Sequence, residues 1–458
     1  INQSYEDLIE QNSSELIAAS TNFIDFTVTA IYSFLNLLCN ISFIFTIELT
    51  LFLLNWKVAL SSLIIFGSAY ILISRNSKLF IERNGKIIAE LIKRKVQTIK
   101  EGLGLIREVL LGNKQQIFIN RYEKIDAIYR KKLAANKFIT FMPKYIIESI
   151  GFVFIALLGY ILSKDGNTAQ YTLPILGTFA LAAQKLLPAM QQCYNSVGTI
   201  RSSKGSIIEV LKMLNRRNQK KDITKIKPLS FRENLTLSNI CFKYLSSKDF
   251  ILRDIILTIK KGERIGIIGN TGSGKTTLTD ILMGLLKPIK GNILIDNKKL
   301  YDNNYPENLI NWRSIISHVP QNIYLSDSSF AENIAFGESL ENIDLNKVEE
   351  AAKKAQIEKF ICSTNFKYLT KVGDNGIKLS GGQKQRIGIA RALYQDSQII
   401  VFDEATSALD NKTESEVIDS LYSLDSNLTI IIIAHRLSTI KKCDRVIKLN
   451  DSKIVEIS

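Results

Sequence analysis

The sequence predicts a multidomain protein in which an all-helical membrane domain precedes an α/β domain. Four long, nearly uncharged stretches occupy the first half of the 458 residues, whereas short apolar strand-like runs alternate with polar helical runs in the second half. Charge divides at the same place, because residues 1–228 hold 29 Lys and Arg against 16 Asp and Glu, and residues 229–458 hold 30 against 28. A hydrophobic share of 46% excludes a disordered chain.

The uncharged stretches are long enough to cross a membrane. Residues 26–47 contain no charge, and a helix of that length extends about 33 Å, against about 30 Å for the apolar core of a bilayer. Within a membrane domain at residues 1–214 we predict four spans, at about 26–54, 58–74, 145–163 and 168–190. Buried helices of a soluble core are the alternative, and four runs of this length argue against it.

The segment between the second and third spans is strongly basic. Residues 75–137 carry 16 Lys and Arg against 6 Asp and Glu, contain no proline, and have the apolar periodicity of two long helices joined near residues 102–112. Positive charge beside a span marks the cytoplasmic side. Nucleic-acid binding is the competing interpretation, but aromatic residues are sparse and spans flank the segment, so no nucleic-acid partner is expected.

Charged residues in or beside the spans keep more than one interpretation, and the role of Glu148 stays open. Glu48 lies near the outer interface or on a substrate path. Lys185 meets an anionic head group, or it extends to the interface or pairs with Glu148.

Residues 215–230 are polar and basic and include Pro228, which predicts a linker to a nucleotide-binding domain at 231–458. The five cysteines are widely spaced and form no Cys-x-x-Cys pair, so neither a disulfide scaffold nor a zinc site is expected. Residue 1 is Ile and no signal peptide precedes the first span, so we expect a fragment of a longer chain.

A glycine-rich loop follows the strand-like run at 264–268 and matches the phosphate-binding pattern G-x-x-x-x-G-K-[ST]. Glycines let backbone N–H groups turn toward phosphates, Lys275 would reach the β- and γ-phosphates, and the Thr276 hydroxyl would bind Mg²⁺. The expected ATP-binding residues are Gly269, Asn270, Thr271, Gly272, Ser273, Gly274, Lys275, Thr276 and Thr277.

Two carboxylates follow a second apolar run. Residues 399–402 are typical of a buried strand, and they end at Asp403 and Glu404. Asp403 would hold Mg²⁺, and Glu404 would act as the general base that activates water. An Asp-Glu pair is a weak signal alone, but together with an upstream phosphate loop it predicts ATP hydrolysis.

A third motif ends twenty residues before Asp403 and reads Leu379, Ser380, Gly381, Gly382 and Gln383. Ser followed by two glycines predicts the start of a helix, whose N–H groups and dipole favour a γ-phosphate. An ordinary helix cap is the alternative. With the two preceding motifs, this run resembles the signature of the ATP-binding cassette family, and the resemblance covers essentially the whole chain.

The resemblance implies roles for further residues. Gln321 resembles the glutamine that senses the γ-phosphate and Mg²⁺, and His435 the switch histidine that contacts the γ-phosphate. Tyr244 resembles the aromatic residue that stacks on adenine, and Asp410 lies in the loop that crosses to the other monomer. Residues 370–376 resemble an exporter-specific loop that touches the transmembrane helices, with Asp374 where Glu is usual.

The family resemblance implies an α/β P-loop ATPase cassette with a helical subdomain, using ATP and Mg²⁺. It implies a half-transporter that exports a substrate across the bacterial cytoplasmic membrane, with the ATPase domain in the cytoplasm. The partners would be a second copy or a paralogous half-transporter, membrane lipid and the transported substrate. Exporters of this kind have six spans per chain, against the four predicted here.

The resemblance favours a lipid or lipid-linked oligosaccharide as substrate. Peptide or drug export is the alternative within the family. A soluble cassette ATPase without a transport role is the alternative from a different class, and the four spans argue against it.

Overall fold

The computed structural model describes residues 5–9, 12–54, 56–164, 169–215, 231–245, 247–302, 305, 307–404, 414–416, 419, 427–434 and 440–456. The chain divides into two compact units, Ile1–Lys220 and Lys221–Ser458. The predicted linker at 215–230 lies almost wholly outside the described residues.

The first unit is helical, as its long apolar and proline-poor sequence predicts. Its helices are α1 (Tyr5–Ile9), α2 (Ser13–Ala18), a π-helical turn (Ala19–Phe23), α3 (Ile24–Leu54), α4 (Trp56–Gly104), α5 (Ile106–Leu111), α6 (Gln115–Phe141), α7 (Pro143–Lys164) and α8 (Ala169–Asn215).

Three helical stretches of the described chain are long and apolar enough to cross a membrane, namely Ser13–Leu54, Ala59–Gly104 and Gln115–Tyr160. They contain most or all of the first three predicted spans. The fourth predicted span falls on α8, but residue 168 and the side chains of 169–175 lie outside what the structure describes, so that span stays a prediction.

Two boundaries in this unit differ from the sequence prediction. The second span and the first basic helix form one continuous helix of 49 residues, α4, because neither proline nor glycine occurs between Gly67 and Gly85. The predicted joint at 102–112 contains the short helix α5. Gly102 and Gly104 weaken the helix before α5, and Gly112 follows it, with Asn113 in a left-handed conformation at φ 51°.

Helices α4 and α8 touch through glycine. A Cβ atom on Gly85 would lie 2.3 Å from the carbonyl oxygen of Ser202, and one on Gly205 would lie 2.9 Å from that of Gly85. Buried amides join the same helices to α6, since Asn84 donates to Asn136 at 2.9 Å and Asn136 donates to Ser202 at 2.9 Å. These contacts lie beyond the predicted spans, where the glycines let the two backbones approach closely and the buried amides have hydrogen-bond partners.

The second unit contains two sheets. An antiparallel sheet has the order β2-β1-β4-β5, and a larger sheet has the order β10-β9-β3-β8-β7-β6, in which all neighbours except β9 and β10 are parallel. The strands are β1 (Asn234–Phe242), β2 (Leu252–Lys260), β3 (Arg264–Gly269), β4 (Lys290–Ile295), β5 (Lys298–Lys299), β6 (Ile316–Val319), β7 (Ile399–Asp403), β8 (Thr429–Ile433), β9 (Arg445–Asn450) and β10 (Lys453–Glu456).

The larger sheet is the parallel sheet that the sequence predicts. All of Thr429–Ile433 and the first four residues of β7 are buried, because helices or sheet cover both faces of a parallel sheet. The antiparallel sheet was not predicted. Its signal is the alternation of exposed and buried residues along Leu252–Lys260, which is typical of a strand with one covered face.

The helices of this unit are α9 (Lys275–Leu282), α10 (Asn308–Arg313), α11 (Phe330–Ile334), α12 (Leu345–Lys354), α13 (Glu358–Cys362) and α14 (Gly381–Tyr394). The last four share one apolar core that includes Phe330, Val348, Ile361 and Ile387. These four helices form the helical subdomain, and their core continues onto one face of the larger sheet at Val319, Phe402 and Ile432.

Candidate nucleotide-binding site

Parallel strands bring the predicted residues to one edge of the larger sheet. The phosphate loop starts at Gly269, where β3 ends, and Asp403 ends β7. Strand β8 lies between them, with Ile433 paired to Asp403, and Gln321 follows the end of β6 on the far side of β7. Because parallel strands end at the same edge, the loop, the carboxylates and the glutamine share one region.

Glycine is required in the phosphate loop. Gly269, Gly272 and Gly274 have φ values of +156°, +81° and +98°. A Cβ atom on Gly269 would also lie 2.5 Å from the carbonyl oxygen of Leu449, and one on Gly274 would lie 2.9 Å from Ile251. Side chains at these positions would therefore open the loop.

The interior of the loop is lined with donors. Only 7% of Lys275 is exposed, and its Nζ donates to the carbonyl oxygens of Gly269 at 2.8 Å and Asn270 at 3.1 Å. The Oγ of Ser273 is buried and has no hydrogen-bond partner in the described part of the chain. A phosphate oxygen would satisfy that hydroxyl, so these residues fit a phosphate ligand.

Two threonines follow the lysine and point differently. Thr276 is exposed at the start of α9, whereas Thr277 is buried and its Oγ1 lies 3.2 Å from the hydroxyl of Tyr244. The Tyr244 ring packs edge-on against Phe242, with ring centroids 5.1 Å apart. The predicted adenine-stacking residue is thus fixed beside the phosphate loop.

The carboxylate pair is held by β8 and by Gln321. Glu404 adopts a left-handed conformation at φ 48°, its N–H donates to the carbonyl of Ile433 at 3.0 Å, and its Oε2 accepts from Gln321 Nε2 at 2.8 Å. Such a φ in a non-glycine residue costs free energy that the surroundings must supply.

Asp280, on α9, is an acidic neighbour that sequence reasoning missed. Burial, with a smaller effect of the Asp403 charge, raises the pKa of Asp280 to about 6. The feature that could have indicated its role is a carboxylate five residues after Lys275, on a helix in which nearly all the other residues are buried. Two carboxylates, Asp280 and Asp403, therefore lie near each other between α9 and β7, and Thr276 precedes Asp280 by about one helical turn. This donor set fits Mg²⁺, which prefers oxygen ligands and carboxylates.

The signature run begins a helix, as predicted. Ser380 caps α14, with its Oγ accepting from the Gln383 N–H at 3.2 Å, and Gln383 Oε1 accepts from the Ser380 N–H at 2.9 Å. Gly381 is exposed and Gly382 is half-buried in the first turn. A capped helix of 14 residues with glycine at its start allows a phosphate to approach the backbone closely.

Other predicted residues differ in how far the structure describes them. Asp410 and His435 lie outside the described residues. In the predicted exporter loop, Val372 N–H donates to the Ser328 carbonyl at 3.0 Å, and Asp374 is exposed. The loop is anchored to the helical subdomain while its acidic residue faces outward.

This arrangement is that of an ATP-hydrolysing cassette, and apolar helices of membrane-spanning length lie ahead of it in the same chain. Together they define the class of ATP-driven membrane transporters.

Comparisons with known proteins agree. The family model described as ABC transporter matches residues 252–407. The ATP-dependent lipid A-core flippase of Francisella novicida is 30% identical over 428 residues, which are 91% of this chain and 69% of that protein. The flippase of the same name from Alkalilimnicola ehrlichii is 29% identical over 417 residues, or 90% and 69% of the two chains. The solved structure of a bacterial Atm1-family ABC exporter with ATP bound has a TM-score of 0.86 at 24% identity, covering 99% of this chain and 79% of that one.

The chain belongs to the ABC transporter family, with the exporter fold and the membrane domain ahead of the cassette. It is a multi-pass membrane protein that binds and hydrolyses ATP and couples hydrolysis to transport.

Proposed function

We propose that the chain is one half of a dimeric exporter that moves a lipid or a lipid-linked saccharide across the bacterial cytoplasmic membrane. The observation that carries the proposal is the presence of a phosphate loop, a carboxylate pair and long apolar helices in one chain. The likeness to proteins named lipid A-core flippases over 91% of its length supports a lipid-linked substrate. Peptide or drug export is the alternative within the family.

In the proposed mechanism, residues Gly269 to Thr277 bind the triphosphate and Tyr244 stacks on adenine. Lys275 turns from the two loop carbonyls toward the β- and γ-phosphates, because a phosphate is the stronger acceptor. Mg²⁺, when bound, neutralises charge on the phosphates. The oxygens of Thr276, Gln321 and Asp403 would hold it.

Glu404 is the proposed general base. Its hydrogen bond to Gln321 fixes the direction of the carboxylate, and its acceptor oxygens can take the proton of an attacking water. His435 is proposed to contact the γ-phosphate.

The proposed dimer completes each ATP site. Ser380, Gly381, Gly382 and Gln383 begin a helix that is remote in sequence from the phosphate loop, so we propose that they face the γ-phosphate bound by a second copy or a paralogous half-transporter. Asp410 would lie in the loop that crosses between the two chains. The basic residues 75–137 and both cassettes would then lie in the cytoplasm.

Flipping of a fluorescent phosphoglycolipid in proteoliposomes tests this function. The probe should become protected from a membrane-impermeant quencher only when ATP is present and only with Glu404 intact. Protection of a fluorescent peptide with no effect on the glycolipid would favour the alternative substrate class. No ATP-dependent movement of either probe would contradict the proposal.

A further inference from the structure

The phosphate loop packs against the chain segment that carries Tyr244. A Cβ atom on Gly274 would lie 2.9 Å from Cγ2 of Ile251 and 3.2 Å from Cδ2 of Leu252. Tyr244 and Ile251 belong to the same connection between β1 and β2, which is closed where the Ile251 N–H donates to the Phe242 carbonyl at 2.9 Å. The residue proposed to stack on adenine therefore shares one packed unit with the residues that bind phosphate.

A second link joins the two segments through hydroxyl groups. The hydroxyl oxygen of Tyr244 and Oγ1 of Thr277 lie 3.2 Å apart, within hydrogen-bonding reach. Thr277 is the third residue of α9 and is only 6% exposed, so bulk water has little access to its hydroxyl. The first turn of α9, which follows the phosphate loop, thus contacts the far end of the tyrosine ring.

The hydroxyl of Thr277 behaves differently from that of Thr279 on the same helix. A threonine inside a helix commonly donates to a carbonyl three or four residues earlier. Thr279 does so, with its Oγ1 3.3 Å from the Lys275 carbonyl oxygen and 2.9 Å from that of Thr276. Within the described chain, the hydroxyl of Thr277 makes its hydrogen bond to Tyr244 instead.

Two contacts together fix the tyrosine ring. The hydroxyl oxygen of a tyrosine lies on the axis about which its ring rotates, so the bond to Thr277 fixes the direction of that axis but not the rotation about it. The edge-on contact with Phe242, at an interplanar angle of 88°, limits the rotation, and Phe242 is itself fully buried. Tyr244 is half-buried, so part of its ring stays open to a ligand in a defined plane.

We propose that Thr277 is a positioning residue for the base, whose hydroxyl holds the Tyr244 ring in the stacking plane before a nucleotide binds. The inference rests on the proposed function, in which Tyr244 stacks on adenine. A ring that is already fixed loses little freedom when the base binds, so affinity is higher than with a mobile ring. The ligand that benefits is a triphosphate that carries a planar base.

Equilibrium binding to the detergent-purified protein, without Mg²⁺ so that no nucleotide is hydrolysed, measures this contribution. The two probes are ATP and inorganic tripolyphosphate, which has three phosphates but no base. Tyr244→Phe removes the hydroxyl and keeps the ring, and it should weaken ATP binding about three- to tenfold, the range of one ordinary hydrogen bond. It should leave the affinity for tripolyphosphate unchanged. At saturating ATP with Mg²⁺, phosphate release should keep its wild-type rate, because positioning of the ring acts on binding.

A double-mutant cycle shows whether the two hydroxyls act as one. Thr277→Val should weaken ATP binding by a similar factor, and Tyr244→Phe should have no further effect in that background. Thr277→Ser keeps the hydroxyl, so Tyr244→Phe should retain its full effect there, and this comparison remains if Thr277→Val does not fold. Thr279→Val is the matched control on the same helix and should change neither affinity.

Three outcomes would overturn the inference. If Thr277→Val weakened the binding of tripolyphosphate as much as that of ATP, its hydroxyl would serve the phosphates directly. Additive effects of Thr277→Val and Tyr244→Phe would show that the two hydroxyls act independently. An unchanged affinity for ATP in Tyr244→Phe would show that the bond does not position the ring.

Tyr244→Ala separates the inference from the proposed function. It removes the ring and should weaken ATP binding more than Tyr244→Phe does, again without effect on tripolyphosphate. If Tyr244→Ala weakens ATP binding and Tyr244→Phe does not, stacking stands and the positioning role of Thr277 fails. An unchanged ATP affinity in Tyr244→Ala would refute the stacking itself. Flipping of the glycolipid at saturating ATP tests the export function independently of both.

Discussion

The side-chain amide of Gln321 donates a hydrogen bond of 2.8 Å to Oε2 of Glu404, across 83 residues of sequence. The bond joins the segment after β6 to the end of β7. It places the proposed metal-sensing residue and the proposed general base in direct contact, so a change at either one alters the geometry of the other.

Replacement of Glu404 by Gln should leave ATP binding intact and reduce turnover about 10²- to 10⁴-fold, because the variant lacks a proton acceptor. Glu341→Gln, an exposed carboxylate in the turn Leu340–Asn342, is the matched control and should keep full activity. Phosphate release and nucleotide binding are measured on the purified protein. Normal turnover in Glu404→Gln would exclude Glu404 as the base.

A mixed dimer tests whether two chains share each ATP site. Pairing a Lys275→Ala chain with a Ser380→Arg chain yields one site with both changes and one with neither. If the sites are shared and hydrolyse ATP independently of each other, the mixed dimer should recover about half of wild-type ATPase activity. Both mutant homodimers should stay nearly inactive. A wild-type monomer that hydrolyses ATP at a specific rate independent of its concentration would refute sharing.

Membrane topology follows from the charge of residues 75–137. In a background without native cysteines, a single cysteine at Asn113 should resist a membrane-impermeant thiol reagent in intact cells, whereas one at Asn167 should react. Opening the cells should make Asn113→Cys reactive, which controls for burial. Labelling at position 113 in intact cells would reverse the orientation.

Asp280 makes the stability of the cassette pH-dependent. Its pKa is about 6 in the fold against an ordinary value of 3.8, so the folded state binds the proton more tightly, and the stability contributed by this group falls as pH rises from about 4 to 6. Above about pH 6 the loss of stability caused by ionisation of Asp280 reaches its full size, which is at most about 3 kcal/mol.

Asp280→Asn should therefore raise the unfolding temperature at pH 7.5, and the gain should shrink at pH 5. Thermal unfolding of the nucleotide-free protein in detergent measures it, with the exposed Asp249→Asn as control. An equal gain at both pH values would attribute the effect to packing instead of ionisation.

Replacement of Gly85 should lower the stability of the membrane domain. Its missing Cβ would lie 2.3 Å from the Ser202 carbonyl, so Gly85→Ala should force α4 and α8 apart and cost about 1–3 kcal/mol. Gly177→Ala, which meets open space, is the control. Thermal stability in detergent measures both, and an unchanged Gly85→Ala protein would show that the helices separate freely.

The sequence was sufficient for several parts of this protein because the physics there is local. The uncharged run at residues 26–47 is favourable in a membrane only as a helix, whose backbone hydrogen bonds are all internal. The glycine pattern from Gly269 to Gly274 is needed by any loop that places its N–H groups around a phosphate. The buried run of β7, ending in Asp403, likewise follows from composition. The antiparallel sheet was not predicted, although Leu252–Lys260 alternates as a strand with one covered face does, because the pairing of β1 with β2 and β4 depends on residues far apart in the chain.

The sequence by itself therefore determined the division into membrane and cassette units, the phosphate loop, the carboxylate pair and the capped start of the signature helix at Ser380. Tertiary structure alone decided which distant residues meet. It placed Gln321 on Glu404, Asp280 near Asp403, and Gly85 against Ser202. Propensity and periodicity depend on neighbours along the chain, whereas these contacts depend on strand order and helix packing, which no local pattern encodes.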